Sequence, residues 1–211
     1  LGTAMMVLMG GGALLFVAGV RIWMFLVAGV SAVACLPIAW TLMHEYQRKR
    51  VLTFLDPDRD PLGAGYHITQ SKIAIGSGGL FGKGFLKGTQ SSLNFLPEKQ
   101  TDFIFTTFVE EWGMVGACVL LALFALVLLW GFSIAFRSQH HFGRLLALGV
   151  TSLMFLYVFI NTAMVMGLLP VVGVPLPLVS NGGTALLSVM FACGLLIGVN
   201  VYRDAQLPRT R

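Results

Sequence analysis

Hydrophobic residues along this chain are gathered into five long blocks. Each block covers roughly the ~20 residues that an α-helix needs to cross the hydrocarbon core of a bilayer. The blocks are residues 3–20, 22–43, 112–132 (preceded by 103–111), 145–168 and 184–202. This pattern predicts an all-α, polytopic integral membrane protein with five transmembrane helices.

The polar stretches between these blocks divide the chain into three parts. Residues 1–43 hold two transmembrane helices, residues 44–102 form one large loop, and residues 103–211 hold three transmembrane helices, a Pro/Gly-rich loop at 169–183 and a tail. Arginines cluster in the short connections and the tail, where positive charge predicts the cytoplasm: Arg21, Arg137, Arg144, Arg203, Arg209 and Arg211. The large loop and residues 169–183 are therefore expected on the extracytoplasmic side.

Composition supports a membrane protein. Hydrophobic residues make up 56% of the chain, charged residues only 11%, and the mean hydropathy is +0.83, which is far more apolar than a soluble domain. The chain starts at Leu1 without a basic segment, so we expect no signal peptide and treat it as part of a longer protein. Cys35, Cys118 and Cys193 lie in apolar blocks and are interpreted as small hydrophobic residues.

Asp102 lies where the large loop meets the third apolar block. It follows the polar run 98–100 and directly precedes the apolar residues 103–105. A carboxylate at the edge of the hydrocarbon is costly to keep charged, so its presence requires an explanation. Two compatible interpretations are a helix N-cap and a reactive group. Glu110 lies about 12 Å further along a continuous helix, too far for a shared proton, and either complements the helix dipole or contributes to a site.

A second candidate region precedes Asp102. No acidic residue occurs between Pro61 and Pro97, whereas Lys72, Lys83 and Lys87 are interspersed with glycines. Glycine lets backbone N–H groups approach a ligand, and neighbouring lysines supply positive charge, so the combination suits phosphate. The spacing does not match a Walker loop, and a flexible soluble loop remains the alternative. Residues 65–75 are predicted to form a short interfacial helix, and residues 44–51 a helical exit from the membrane with a basic collar.

Two other polar clusters are not predicted to bind metal. Asp56, Asp58 and Asp60 alternate as in a calcium loop, but Pro61 and His67 occupy positions where that loop requires Gly and Glu. The pair His140-His141 lies in a short connection, where histidines are usually solvated. We therefore assign no metal-binding residues.

The loop at 169–183 is apolar enough to enter the membrane, yet its prolines and glycines prevent a helix. Irregular backbone at that depth is tolerated only against protein or a wet cavity, so this loop is expected to line a site. Ser180 and Asn181 are its only polar side chains. They either bind a ligand or cap the following helix.

Several motifs together resemble one family, the SEDS glycosyltransferases (shape, elongation, division and sporulation), in its rod-shape branch. They are Asp56-Pro57, Asp60-Pro-Leu-Gly-Ala-Gly-Tyr-His67, Gln70-Ser-Lys-Ile-Ala-Ile-Gly-Ser-Gly-Gly-Leu80, Gly82-Lys-Gly84, Gly88-Thr-Gln-Ser91, Phe95-Leu-Pro-Glu98, Thr101-Asp-Phe-Ile-Phe105, Glu110-Glu111 and Leu169-Pro-Val-Val-Gly-Val-Pro-Leu-Pro-Leu-Val-Ser180. The resemblance covers essentially the whole chain. Two positions depart from the family pattern: Asn181 replaces the usual Tyr, and Gln100 replaces a common His.

The resemblance implies a multi-pass enzyme of the bacterial inner membrane with about ten crossings, of which this chain holds the last five. The implied reaction is polymerisation of lipid II into peptidoglycan strands during cell elongation and rod-shape maintenance, with undecaprenyl pyrophosphate as the leaving group. Asp102 matches the family's catalytic Asp and is expected to act as general base. Substrate-binding candidates are Lys72, Lys83, Lys87, Glu110 and Ser180. No cofactor is firmly implied, and a divalent cation (Mg or Mn) is left open.

The same resemblance implies partners. These are lipid II and the growing glycan strand, a class B penicillin-binding transpeptidase and the membrane proteins of the rod complex, with no nucleic acid. Two other functions remain open at this point: a lipid II flippase, which also requires intramembrane carboxylates and a basic cavity, and a non-catalytic scaffold for a transpeptidase.

Overall fold

Every regular element in the described residues, which are 2–56, 63–92 and 100–203 of a computed structural model, is a helix. The helices are α1 Gly2–Val17, α2 Ile22–Leu42, α3 Glu45–Leu55, α4 Ala64–Gly78, α5 Thr89–Ser92, α6 Ile104–Arg137, α7 His141–Val165 and α8 Gly183–Val201. The all-α prediction is confirmed.

Each of the five apolar blocks forms a helix. The helices α6, α7 and α8 are long and apolar enough to cross a membrane, while α1 and α2 contain the shorter apolar stretches Ala4–Val17 and Ile22–Pro37. Together these helices fit a polytopic membrane protein. The described part of the large loop contains the helices α3, α4 and α5.

The packing centres on the antiparallel pair α6 and α7. The helix α4 packs against α6, α1 packs against α7, and α8 runs beside α7. Gly131 allows close approach toward the connected end of the pair, because a Cβ there would overlap the side chain of Thr151. The main apolar cluster lies toward the loop end of the pair and includes Phe103, Phe105 and Leu176. Residues around Asp102 therefore lie on this apolar cluster.

The connection from α2 to α3 differs from the prediction. Residues 44–51 do not continue the membrane helix, because the backbone at His44 is extended and a separate helix begins at Glu45. Arg48 then reaches back, and its guanidinium donates to the carbonyls of Trp40 at 2.9 Å and Thr41 at 2.8 Å. A member of the predicted basic collar thus satisfies carbonyl groups at the end of α2. The helix predicted at 65–75 is confirmed as α4.

The helix α6 is interrupted at Gly113, where the backbone takes φ 70° and ψ −169°. The helix that was predicted through Glu110 and Glu111 is present from Ile104 onward, whereas the interruption at Gly113 was not predicted. The loop after α4 docks at the interruption through four backbone hydrogen bonds: Gly79 and Leu80 accept from Met114 and Val115, and Lys83 and Gly84 donate to Glu110 and Glu111. A Cβ on Gly113 would overlap Leu80 and Gly82 of this loop. The glycines at 82 and 113 therefore permit direct backbone contact.

Candidate catalytic site

The backbone of Asp102 is held by a buried amide from α7. The Nδ2 of Asn161 donates to the carbonyl of Asp102 at 2.8 Å and to the carbonyl of Val174 at 2.6 Å. Asn161 is fully buried, so neither hydrogen bond competes freely with water. The amide joins the start of α6 to the irregular segment at 169–183. We call residues 100–103 and 173–181, together with Asn161, the Asp102 platform.

Two further contacts complete this platform. The hydroxyl of Ser180 donates to the carbonyl of Thr101 at 2.6 Å and accepts from the backbone N–H of Leu176 at 2.7 Å. The backbone N–H of Asn181 donates to the carbonyl of Gln100 at 2.8 Å, and their side chains meet at 3.4 Å. Ser180 and Asn181 do not cap α8, whose N-cap is Gly182 without a side-chain bond. The two positions that depart from the family pattern are thus in contact with each other.

The carboxylate of Asp102 is partly buried and lies against Gly173. A Cβ on Gly173 would stand 3.1 Å from the Oδ2 of Asp102, and Gly173 has a φ of +74°, a conformation that other residues rarely adopt. The N-cap interpretation of Asp102 was wrong, because Phe103 occupies the N-cap of α6. The irregular segment therefore provides both the support for the Asp102 backbone and the space for its carboxylate.

Glu110 is held in a different way, by its own side chain. Its carboxylate is completely buried, and Oε1 accepts from the ammonium of Lys83 at 2.9 Å, the hydroxyl of Thr89 at 3.1 Å and the backbone N–H of Gln90 at 3.0 Å. Lys83 also donates to the hydroxyl of Thr89 at 2.7 Å. We call Lys83, Thr89, Gln90 and Glu110 the Lys83–Glu110 clasp. The clasp fastens the Gly/Lys-rich loop, residues 79–88 between α4 and α5, to α6.

The other two candidate lysines occupy separate positions. Lys72 is exposed on α4, and its side chain extends across Gly167. A Cβ placed on Gly167 would lie 2.7 Å from the ammonium group of Lys72. That places its charge near the C-terminal end of α7, where positive charge is favourable. Lys87 is exposed in the same loop as Lys83. The structure therefore groups Asp102 with Ser180 and Lys83 with Glu110.

Sequence reasoning missed Asn161, Thr89 and Gln90. The available signal for Asn161 was an amide inside an apolar block, where polar residues usually have a specific role. Of the predicted motifs, Asp58, Asp60, Glu98 and Lys99 lie outside the described residues. Within residues 2–56, 63–92 and 100–203, no group of three His, Cys, Asp or Glu side chains is placed to hold a metal ion. We therefore derive no step through a divalent cation.

Known proteins with similar sequences belong to one family. The profile of the cell cycle protein family FtsW/RodA/SpoVE matches residues 1–205. The peptidoglycan glycosyltransferase MrdB of Escherichia coli K12 is 54% identical over 204 residues, which are 96% of this chain and 55% of the relative. The peptidoglycan glycosyltransferase RodA of Treponema pallidum is 45% identical over 159 residues, which are 75% of this chain and 37% of the relative. The chain spans about half the length of these curated relatives.

Solved structures agree in fold. A chain from a structure titled "Structural coordination of polymerization and crosslinking by a peptidoglycan synthase complex" matches with a TM-score of 0.79 and 34% identity, over 98% of this chain and 57% of that chain. A mutant of the rod shape determining protein RodA from Thermus thermophilus matches with a TM-score of 0.51 and 31% identity, over 60% of this chain and 40% of that chain. The family and the branch inferred from the motifs are confirmed.

Proposed function

Because the chain belongs to the FtsW/RodA/SpoVE family of cell cycle proteins, we propose that it is a peptidoglycan glycosyltransferase that polymerises lipid II during cell elongation. The observation that carries this proposal is the way Asp102 is held. Its backbone carbonyl is fixed by Asn161 and its carboxylate lies against Gly173 at the outer end of α6. A base fixed in this way keeps its orientation while its carboxylate accepts a proton.

Asp102 would act as general base in an inverting displacement. It removes the proton from the 4-hydroxyl of the acceptor GlcNAc while that oxygen attacks the anomeric carbon of the donor MurNAc. The bond from this carbon to the undecaprenyl pyrophosphate breaks, and the pyrophosphate leaves with the electron pair. A positioned base typically contributes ~10²–10⁴-fold to such a rate.

The lysines would stabilise the departing pyrophosphate. Lys72 and Lys87 are exposed, and Lys83 remains 26% exposed while paired with Glu110. Cations held near the position where negative charge develops lower the barrier to departure. Glu110 and Ser180 contribute to the substrate site through the groups that they hold, namely the Gly/Lys-rich loop and the backbone before Asp102.

An apolar cavity beside the platform supports a lipid substrate. It has a volume of about 340 Å³ and lies between α7, α8 and the segment 175–180. Its lining is mainly aliphatic. Four lining residues carry hydroxyl groups: Tyr157, Ser180, Thr184 and Ser188. An apolar pocket with a few polar groups at one end suits a polyprenyl chain that carries a polar head.

The proposed setting is the bacterial inner membrane, with the large loop outside the cytoplasm. Arginines in the short connections support this orientation. We also propose that the protein acts with a class B penicillin-binding transpeptidase and the rod-complex membrane proteins. The likeness to a chain of a peptidoglycan synthase complex supports the first of these partners.

Asp102→Asn in the full-length protein tests the function, because the amide keeps the shape and removes the base. Polymerisation of lipid II by the purified variant should fall ~10²–10⁴-fold, while lipid scrambling in vesicles and binding of the transpeptidase stay at the wild-type level. Loss of scrambling with intact polymerisation would indicate a flippase. Wild-type protein and variant that both bind the transpeptidase but show neither activity would favour a scaffold.

A further inference from the structure

A group of large apolar side chains projects from the loop between α4 and α5. Leu80 is 66% exposed, Phe81 81%, Phe85 68% and Leu86 74%. We call residues 79–88 the apolar loop. Most other exposed large apolar side chains in the described residues lie on the apolar helices, where lipid is the expected neighbour. This loop lies outside those helices, so its exposure requires a separate explanation.

The apolar loop is held firmly in this exposed arrangement. Its backbone is hydrogen-bonded to α6 on both sides of Gly113, and the ammonium of Lys83 anchors it to the buried Glu110. Leu86 takes a left-handed φ of 60°, which is uncommon for a residue with a branched side chain. The structure thus fixes the apolar side chains outward.

The attachment to α6 sets the level of the loop relative to the membrane. The part of α6 after the interruption at Gly113, residues 114–137, is about 36 Å long, which is enough to cross a hydrocarbon core of about 30 Å. The part before Gly113 therefore extends beyond the core. The loop meets α6 at residues 110–115, where the apolar span begins with Trp112, which is 52% exposed. Trp is enriched at membrane interfaces, so the loop lies at the same level as the bilayer surface.

We propose that the apolar loop inserts into the interface of the bilayer leaflet on the side of the large loop. Lipid is the occupant that fits, because the exposed side chains at 80, 81, 85 and 86 belong to a loop whose backbone bonds directly to residues 110–115 of α6, where Trp112, Met114 and Val115 are also exposed. Lys87 is exposed next to Leu86 and can extend its ammonium group to lipid phosphates while its stem stays among apolar groups. The only acidic side chain in the clasp, Glu110, is buried and paired. This membrane contact goes beyond the proposed function and does not depend on it.

Spin labels on the loop test this proposal directly. In a full-length background in which every native cysteine, including Cys35, Cys118 and Cys193, is replaced by Ala, Phe81→Cys and Phe85→Cys are labelled separately. Each labelled protein is reconstituted into vesicles of phosphatidylethanolamine and phosphatidylglycerol without any partner protein. Collision rates are measured with oxygen, which concentrates in lipid, and with a water-soluble nickel chelate. Gln139→Cys, exposed in the α6–α7 connection, is the aqueous reference, and Leu126→Cys, 62% exposed within α6, is the reference within the apolar span.

Both loop labels should collide readily with oxygen and poorly with the nickel chelate, with values shifted from Gln139 toward Leu126. Nickel accessibility equal to that at Gln139 would overturn the proposal, because the loop would then lie in water. Low accessibility to both reagents would also overturn it, because another part of the protein would then cover the loop. The native side chains at 81 and 85 are largely exposed, so labelling either site leaves the packing intact, and each site checks the other.

Discussion

The Asp102 platform and the Lys83–Glu110 clasp hold two acidic residues that lie eight positions apart in the sequence. In the platform the protein binds the backbone of Asp102, and its carboxylate lies at a partly buried surface against Gly173. In the clasp the protein binds the carboxylate of Glu110 itself, which is completely buried. We propose that the first arrangement positions a carboxylate for chemistry, whereas the second, in which one oxygen accepts from three donors, holds a loop in place.

The largest effect on stability should come from Lys83→Met. This change leaves the buried carboxylate of Glu110 without its counter-charge, and breaking a buried pair from one side costs about 3 kcal/mol or more. The unfolding temperature of the purified protein in detergent should fall clearly. Lys87→Met is the matched control, because it removes an exposed lysine from the same loop. Equal unfolding temperatures for the two variants would show that the clasp does not stabilise the protein.

Asn161→Leu should give the next largest effect, and it should act on both stability and rate. The change leaves the carbonyls of Asp102 and Val174 unpaired in a buried place, at a cost of about 2 kcal/mol. Displacement of Asp102 should lower kcat for polymerisation about tenfold, since small misplacements of a catalytic group are costly, with little change in KM.

The control for Asn161→Leu is Ser71→Ala. Ser71 is also fully buried and bridges α4 to Thr106 and to the carbonyl of Val165, and neither of these two hydrogen bonds involves a platform residue. It should lower the unfolding temperature while kcat stays near the wild-type value. If the two variants lowered kcat to the same extent, Asn161 would be a packing residue and the platform would have no special link to the rate.

Ser180→Ala should give the smallest of these effects. It removes one donor to Thr101 and one acceptor for Leu176, but the site is only partly buried, so water can replace part of the loss. We expect a cost of about 1 kcal/mol and a modest fall in polymerisation rate. Ser180→Thr keeps the hydroxyl and should recover most of that rate. If the polymerisation rate of Ser180→Thr were no higher than that of Ser180→Ala, the lost rate would not be due to the missing hydroxyl.

Local patterns in the sequence predicted much of the fold. The length and hydrophobicity of five blocks predicted the five apolar helices, and the prolines and glycines at 169–183 predicted irregular backbone there. The interruption of α6 was not predictable in the same way. Gly113 lies in an apolar region where glycine is common in membrane helices, and the loop that docks on it precedes it by some 30 residues of chain.

The sequence predicted individual residues of the candidate site, but it did not predict which of them lie in contact with one another. Asp102 was identifiable as a carboxylate at a membrane edge, and Lys83 as a cation among glycines. The pairing of Lys83 with Glu110 joins residues 27 positions apart, and the bond from Asn161 to Asp102 joins residues 59 positions apart. Such contacts depend on how α4, α6 and α7 pack together, which no local pattern specifies.

The most direct test of the difference between the two regions is a side-by-side measurement of Asp102→Asn and Glu110→Gln. Each full-length variant is assayed for the initial rate of glycan chain formation from lipid II and for unfolding temperature. Asp102→Asn should lower the rate at least ~10²-fold with little change in unfolding temperature, while Glu110→Gln should lower the unfolding temperature and retain a far higher rate. A fully active Asp102→Asn, or a stable and inactive Glu110→Gln, would contradict the account.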